Sequence, residues 1–148
     1  MNSLLGFRSS LLRCARMMSD EVNTLLLPYQ LNYSLWQVMF VIREKGGCTS
    51  IEMAEHLNVS KPSIAKRIQA LSALNVLTHI ETEDKRQKKM ILSATGDALF
   101  LQCSAVIDQF EHSLINKFDT ADIQQSVEIL HAIIHELESA KSGEDHAK

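Results

Sequence analysis

The chain contains few of the residues that break helices or cross-link a fold. Its 148 residues include five glycines, two prolines and three cysteines. Glycine and proline are the least favourable residues in helix interiors, so their scarcity favours long helices. Three cysteines, an odd number without close spacing, indicate neither a disulfide framework nor a zinc finger.

Long apolar runs are also missing. No segment reaches the ~20 consecutive apolar residues that a membrane-spanning helix needs. Near the start, Arg8, Arg13 and Arg16 interrupt the apolar residues, so the continuous apolar core of a signal peptide is lacking. We therefore expect a cytoplasmic protein with no membrane partner. A hydrophobic fraction of 45% beside 22% charged residues is typical of a globular chain.

Positive charge is scarce over most of the chain and is concentrated in one part of it. The formal net charge is −3. Residues 60–90 hold seven Lys or Arg and three acidic residues, a net of +4, while the remaining residues hold eight and fifteen, a net of −7. A basic segment on an acidic chain indicates a local contact with a polyanion. A solvated charged face is the simpler alternative, and the motifs within the segment decide between the two.

Apolar spacing predicts two helices before the basic segment. The first covers residues 3–27 and ends before Pro28, because the proline ring disfavours helix at the preceding residue. The second begins near Ser34, a plausible cap, and ends at the glycine pair Gly46 and Gly47, which suits a left-handed backbone.

Two further helices are predicted after the basic segment. Ser93 can cap a long helix over roughly residues 94–118. A last helix follows Asp119 and carries a heptad-like apolar stripe of Ile123, Val127, Leu130, Ile134 and Leu137. The polar residues 141–148 are expected to form a flexible tail.

The segment "TSIEMAEHLNVSKPSIAKRIQAL" predicts two short helices joined by a tight turn. Thr49 and Glu52 have the spacing of a capping box. Asn58 tolerates the left-handed backbone of a sharp turn, Ser60 can cap the next helix, and Pro62 falls in its first turn. The first helix is expected to bury Ile51, Ala54 and Leu57, and the second Ile64, Ile68 and Leu71. Another face of the second helix carries Ser63, Lys66, Arg67 and Ala70.

A basic hairpin is predicted directly after this pair of helices. Residues 77–82 and 89–92 read as two strands, and the charged residues between them form the loop. Two helices, a tight turn and a basic hairpin in this order predict a winged helix-turn-helix. The second helix could enter the major groove of DNA, where at least one of Lys66 and Arg67 is expected to contact a base, while the hairpin reaches the adjacent minor groove.

Two stretches in this region resemble a known family. "AEHLNVSKPSIAKRIQALSALNVL" followed by "EDKRQKKMILSATG" is similar to the multiple-antibiotic-resistance regulator (MarR) family of bacterial winged helix-turn-helix repressors. The resemblance covers nearly the whole chain. The wing pattern Asp-x-Arg is present at Asp84 and Arg86, and Leu-Thr-x-x-Gly occurs from Leu92 to Gly96 with Ser93 in place of Thr. Asn58 stands where the family often has Gly.

The resemblance implies a homodimer that binds double-stranded DNA at a pseudo-palindromic operator. It also implies a small aromatic or phenolic ligand that releases the DNA. It assigns Arg86 to the minor groove and Asp84 to the structure of the wing. The DNA-binding residues expected from the motifs and the resemblance together are Ser60, Lys61, Ser63, Lys66, Arg67, Lys85, Arg86, Lys88 and Lys89. A ligand cleft would be lined by Arg16, Met17, Trp36, Met39 and Phe40, although the apolar ones at helical spacing also suit a core and Arg16 a solvated position.

The expected fold class is mainly α with a small β-hairpin wing. The expected domains are a helical dimerisation region, residues 1–33 and 94–140, a winged helix-turn-helix domain, residues 34–93, and the tail. No catalytic pairing, Gly-rich phosphate loop or close carboxylate pair is visible, so neither enzyme activity nor a cofactor is expected.

Three alternatives accompany this interpretation. Cys14, between two arginines in the first helix, could make the protein a thiol-based redox sensor of the same fold, although a packed thiol is the simpler explanation. His131 and His135 have a spacing that can bind zinc, but the border of an apolar stripe explains them without a metal. A winged helix used only for protein–protein contacts, without an operator, is the third alternative.

Overall fold

The computed structural model describes residues 6–83 and 88–146, with side chains up to residue 143. The described part is largely helical and contains one antiparallel hairpin, so the expected fold class is confirmed. Its elements are α1 (Phe7–Leu26), α2 (Tyr33–Lys45), α3 (Ser50–Leu57), α4 (Lys61–Ala73), β1 (Leu77–Glu81), β2 (Lys88–Leu92), α5 (Ala94–Ile115) and α6 (Thr120–His146). A short 3-10 turn, Leu27–Tyr29, joins α1 to α2.

The chain divides into two compact units, with the boundary after Ile107. The first unit contains the hydrophobic core. Its most deeply buried large side chains come from α1 to α5 and the link before β1, and they include Leu26, Met39, Ile42, Met53, Ile64, Leu71 and Val76. Burial of side chains of this size is the main stabilising contribution to such a domain.

Residues with a strong local preference set the ends of α2 to α4. The Asn32 carboxamide accepts a hydrogen bond from the Leu35 amide at 2.8 Å, so the cap lies two residues before the predicted Ser34. Gly46 ends α2 with a φ of 65°, and Asn58 ends α3 with a φ of 56°. These left-handed positions are those that the sequence predicts.

The buried face of α3 differs from the prediction. Met53 is fully buried beside Ala54, whereas the Ile51 side chain is 40% exposed and Leu57 is half-buried. An eight-residue helix makes little more than two turns, so several apolar stripes fit its sequence equally well. Contacts with α2, α4 and β2 select the stripe that contains Met53.

Leu77 pairs with Leu92, and Glu81 pairs with Lys88 at the other end of the hairpin. Cys48, which the sequence places in a loop, forms a bridge with Met90 through two backbone hydrogen bonds of 3.0 and 2.8 Å. The base of the hairpin is therefore fixed to the segment between α2 and α3.

The junction between β2 and α5 is tightly packed. The Ser93 hydroxyl accepts a hydrogen bond from the Gly96 amide at 3.0 Å and donates one to the Asn75 carbonyl at 2.7 Å, as expected for the predicted cap. A Cβ atom on Gly96 would lie 2.1 Å from the Val76 carbonyl oxygen. Only glycine fits there, which gives a physical reason for the glycine of the Leu-Thr-x-x-Gly pattern.

Helix α6 belongs to the second unit and buries none of its described side chains. Its apolar stripe includes four exposed residues: Val127, Leu130, Ile134 and Leu137. The helix extends to His146, into the segment for which the sequence predicts a flexible tail. Among the described helices, none is both long and apolar enough to cross a bilayer.

Candidate nucleic-acid interface

Helix α3 and helix α4 are held by the caps that their sequences predict. The Thr49 hydroxyl accepts a hydrogen bond from the Glu52 amide at 3.2 Å, and the Glu52 carboxylate accepts one from the Thr49 amide at 3.4 Å. The Ser60 hydroxyl accepts a hydrogen bond from the Ser63 amide at 3.2 Å. Each cap satisfies an amide that the helix itself leaves unpaired. The caps set where each helix begins, and the packing of α3 against α4 holds the two in the helix-turn-helix arrangement.

Helix α4 presents a polar face opposite its core face. Ile64 and Leu71 are fully buried, while Lys66 and Gln69 are exposed on the other side, three residues apart. Lys61 is exposed in the first turn, and Ser63 is half-buried. This outer face has the dimensions and polarity of an element that can enter the major groove.

Lys66 and Arg67 occupy different environments. The guanidinium of Arg67 donates hydrogen bonds to the Ser34 carbonyl oxygen and to Oε1 of Gln37, both at 3.2 Å. These bonds tie α4 to the first turn of α2. The Lys66 side chain makes no hydrogen bond or ion pair with any other residue the structure describes. Of the two candidate base-contacting residues, Lys66 is therefore the one whose charge is available.

The two lysines of β2 also differ. Side chains alternate along a strand, so Lys88 shares a face of the hairpin with Met90, while Lys89 lies on the opposite face. Lys89 runs along Gly47, where its Cε atom lies only 2.7 Å from the position of an added Cβ. The predicted Asp84, Lys85 and Arg86 fall outside the residues that the structure describes.

A groove of about 440 Å³ lies between α4 and the hairpin. We call it the α4 groove, and it is lined by Ser50, Lys61, Ala65, Ile68, Gln69 and Met90. Its lining is largely apolar and includes one ammonium, one hydroxyl and one carboxamide group. The sequence prediction missed Gln69, although its position three residues after Lys66 places both on one helix face.

The five predicted ligand-binding residues occupy different environments in the structure. Trp36 stacks on Phe100 with ring centroids 4.8 Å apart, and Met39 is fully buried in the core. Arg16 pairs with Asp20 at 3.3 Å on the exposed side of α1, where Met17 is 60% exposed.

The remaining predicted ligand residue, Phe40, lies at the edge of an aromatic cluster. Its ring is 6.5 Å from that of Phe100, and its side chain is 45% exposed. The Arg43 guanidinium lies 5.0 Å from the Phe100 ring centre and pairs with Asp97 at 3.1 Å. This cluster connects α2 to the first turns of α5.

The three cysteines differ in accessibility. Cys14 is exposed on α1, whereas Cys48 and Cys103 are buried. Burial raises the pKa of the Cys103 thiol to about 11, and burial also raises the pKa of Cys48. His131 and His135 are exposed on α6, and the described residues contain no group of three side chains suited to a metal ion.

Comparisons with known proteins agree with this architecture. A family described as winged helix-turn-helix DNA-binding matches residues 31–78. YwoH of Bacillus subtilis, an uncharacterised HTH-type transcriptional regulator, is 28% identical over 108 residues, which cover 73% of this chain and 79% of YwoH.

Solved structures show the same fold at low sequence identity. Staphylococcus aureus MarR in complex with salicylate and kanamycin superposes with a TM-score of 0.82 at 21% identity, covering 91% of this chain and 92% of that one. A mutant MarR from E. coli complexed with operator DNA gives a TM-score of 0.76 at 17% identity, covering 89% and 96%.

The helix-turn-helix, the adjacent hairpin and the family match define the class: the chain contains a winged helix-turn-helix of the DNA-binding type. Within that class it has the fold of the MarR regulators, so the resemblance stated from the sequence is confirmed.

Proposed function

We propose that the protein is a homodimeric repressor that binds a pseudo-palindromic operator and is released from it by a small aromatic ligand. The observation that carries this proposal is the outer face of α4. It is exposed and polar, it belongs to a helix whose start is set by the Ser60 cap, and it adjoins a hairpin with a basic residue on the same side. The proposed place of action is the cytoplasm, and the proposed role is regulatory rather than enzymatic.

In the proposed complex, α4 enters the major groove and the hairpin follows the phosphate backbone. Unlike Arg67, Lys66 has an unengaged side chain on the outer face of α4, so it contacts a base or a phosphate inside the major groove. Lys88 shares its hairpin face with Met90, which lines the α4 groove, so its ammonium group is directed to the same side as α4. The start of α4 contacts the phosphate backbone of the DNA through Ser60, Lys61 and Ser63. Arg86 is proposed to reach the minor groove.

Exposed apolar side chains support the homodimer. In the second unit, Leu114 and Phe118 are 42% and 63% exposed, in addition to the stripe along α6. A helix with an exposed apolar stripe gains most of its stability from packing against a partner. We propose that the partner is a second copy of this chain. Two symmetric recognition helices then fit half-sites that lie one helical turn, about 34–36 Å, apart.

The ligand part of the proposal rests on the aromatic cluster and on the resemblance. Phe40 and Arg43 lie at the accessible edge of the aromatic cluster, which suits a planar aromatic ligand. Because the cluster connects α2 to α5, a ligand there can alter the separation of the two recognition helices. S. aureus MarR has been solved with salicylate, which makes salicylate a suitable first probe for this chain.

The proposal is tested by measuring binding to duplex DNA at several salt concentrations. A duplex site is first selected from a random pool with the full chain. Neutralising one phosphate contact in each subunit should lower the slope of log affinity against log salt by nearly 2 per dimer. We expect this reduction for Lys88→Ala and no change for Lys117→Ala, an exposed lysine between α5 and α6 that serves as the matched charge control.

The same assay decides between the proposal and its alternatives. A folded protein that binds no duplex at low salt would indicate a protein–protein interaction module instead. Release of the duplex by salicylate, weakened in Phe40→Ala, supports a ligand-responsive regulator. Release by peroxide that disappears in Cys14→Ser, with no response to salicylate, would favour the redox sensor, since Cys14 is the exposed cysteine.

A further inference from the structure

Helix α4 contains one carboxamide, Gln69, on its outer face. Gln69 is exposed and makes no hydrogen bond with the other residues that the structure describes, so both its amide donors and its carbonyl acceptor are available. Arg67, which is also polar and nearby in sequence, is engaged with α2. Gln69 is therefore the α4 side chain that can donate to and accept from one base at the same time through two separate atoms.

A carboxamide has a defined preference among the bases. In the major groove, adenine presents the N7 acceptor next to the N6 amino donor, and a glutamine side chain can bind both at once. A lysine offers donors alone, so Lys66 is suited to guanine or to phosphate. Adenine is thus the base that an unengaged glutamine at this position recognises best.

The α4 groove adds an apolar contact beside Gln69. Ala65, Ile68 and Met90 line the groove on the same side of α4 as Gln69. The thymine methyl group is the apolar substituent that natural bases expose in the major groove. Ala65 precedes Gln69 by four residues, a rise of about 6 Å along the helix, so the two positions face base pairs no more than about two steps apart.

We infer that Gln69 and the apolar lining of the α4 groove are the sequence-reading element of this protein. Gln69 binds adenine through N6 and N7, and the groove receives the methyl group of a thymine one or two base pairs away. Lys66 then contributes affinity within the major groove of the DNA. Arg67 holds α4 against α2 through its two hydrogen bonds. This assignment rests on the proposed operator binding, and it specifies which side chain reads which base.

The test uses the full chain and base analogues. In the selected site, each adenine is replaced in turn by 7-deazaadenine, which removes only the N7 acceptor. One such replacement in a single half-site should weaken wild-type binding by about 5- to 150-fold, the range of one good base contact. In Gln69→Ala the same replacement should cost nothing further, because the partner of N7 is already gone.

A specificity change provides the second readout. Gln69→Glu keeps the length of the side chain but removes its donors, so a new selection should replace the adenine with cytosine, whose N4 group donates. Gln124→Ala on α6, an exposed glutamine outside the winged domain, should leave both the site and the affinity unchanged. Replacing the neighbouring thymine by uracil, which removes only the methyl group, should weaken binding about fourfold.

The outcomes separate the two levels of the proposal. If the wild-type chain selects no preferred sequence, operator binding itself is wrong and this assignment falls with it. If it selects a sequence, but Gln69→Ala and Gln69→Glu select the same one and keep the full penalty for 7-deazaadenine, operator binding stands and Gln69 is not the reader. If the adenine result holds and the uracil replacement has no effect, the role of the groove is overturned.

Discussion

Gly96 is the residue at which a single methyl group has the largest predictable effect. A Cβ there would overlap the Val76 carbonyl, which also accepts a hydrogen bond from the Ser93 amide. Gly96→Ala must separate α5 from the base of the hairpin, and overpacking of this kind costs about 1–3 kcal/mol of the free energy of unfolding. Thermal and urea unfolding measure the loss.

Gly143 in α6 is the matched control for this change. No atom lies within 4 Å of a Cβ added there. Gly143→Ala should raise stability slightly, because alanine is favoured over glycine in a helix by about 0.5–1 kcal/mol. Equal effects of the two substitutions would contradict the steric argument for Gly96.

Thiol labelling tests which of the three cysteines are buried in the native protein. At pH 7.5 an aromatic disulfide reagent should modify Cys14, and it should reach Cys48 and Cys103 only when the protein unfolds. Raised pKa values keep both buried thiols protonated at that pH, and the thiolate is the reactive form. Rapid labelling that persists in Cys14→Ser would show that the core around the other two opens in the native state.

At the scale of elements, the contact between α4 and α2 gives Arg67 and Lys66 different roles: Arg67 stabilises the fold, and Lys66 contacts DNA. Arg67→Ala removes two hydrogen bonds from a charged donor, and we expect a loss of about 1–2 kcal/mol in unfolding free energy with weaker binding to every duplex. Lys66→Ala should leave unfolding unchanged and weaken DNA binding alone. A stable Arg67→Ala protein with altered base preference would return Arg67 to the list of base-contacting residues.

At the scale of the whole molecule, the stripe on α6 predicts the assembly state. Ile134 is 49% exposed in the middle of this stripe, so Ile134→Glu should convert a dimer of two 16.7 kDa chains into monomers. Ala132→Glu, which places the same charge on the opposite side of the helix, should leave the dimer intact. Sedimentation at micromolar concentration distinguishes the two, and a wild-type monomer at that concentration would refute the dimer.

The positions of turns and helix caps could be predicted from the sequence, whereas packing between elements that are distant in sequence could not. The positions of Asn58, Ser60, Gly46 and Ser93 follow from backbone preferences and side-chain caps that involve only neighbouring residues. The burial of Met53 depends on three other elements, so the short stripe of α3 could not reveal it.

The candidate site shows the same division. The outer face of α4 follows from helical periodicity, so Lys66 was predictable. The engagement of Arg67 depends on Ser34 and Gln37, which lie 33 and 30 residues away in sequence. The bridge between Cys48 and Met90 likewise joins residues from two separate segments, and neither carries a local signal for it.

The exposure of α6 has a consequence for the lifetime of the chain. A helix that finds its packing partner on a second molecule is accessible to proteases whenever that molecule is missing. At low abundance the proposed dimer dissociates, and single chains are then degraded faster than paired ones. The steady-state level of the protein would therefore rise more than proportionally with its rate of synthesis. Dimers would accumulate only above a threshold rate of synthesis, independently of any ligand or operator.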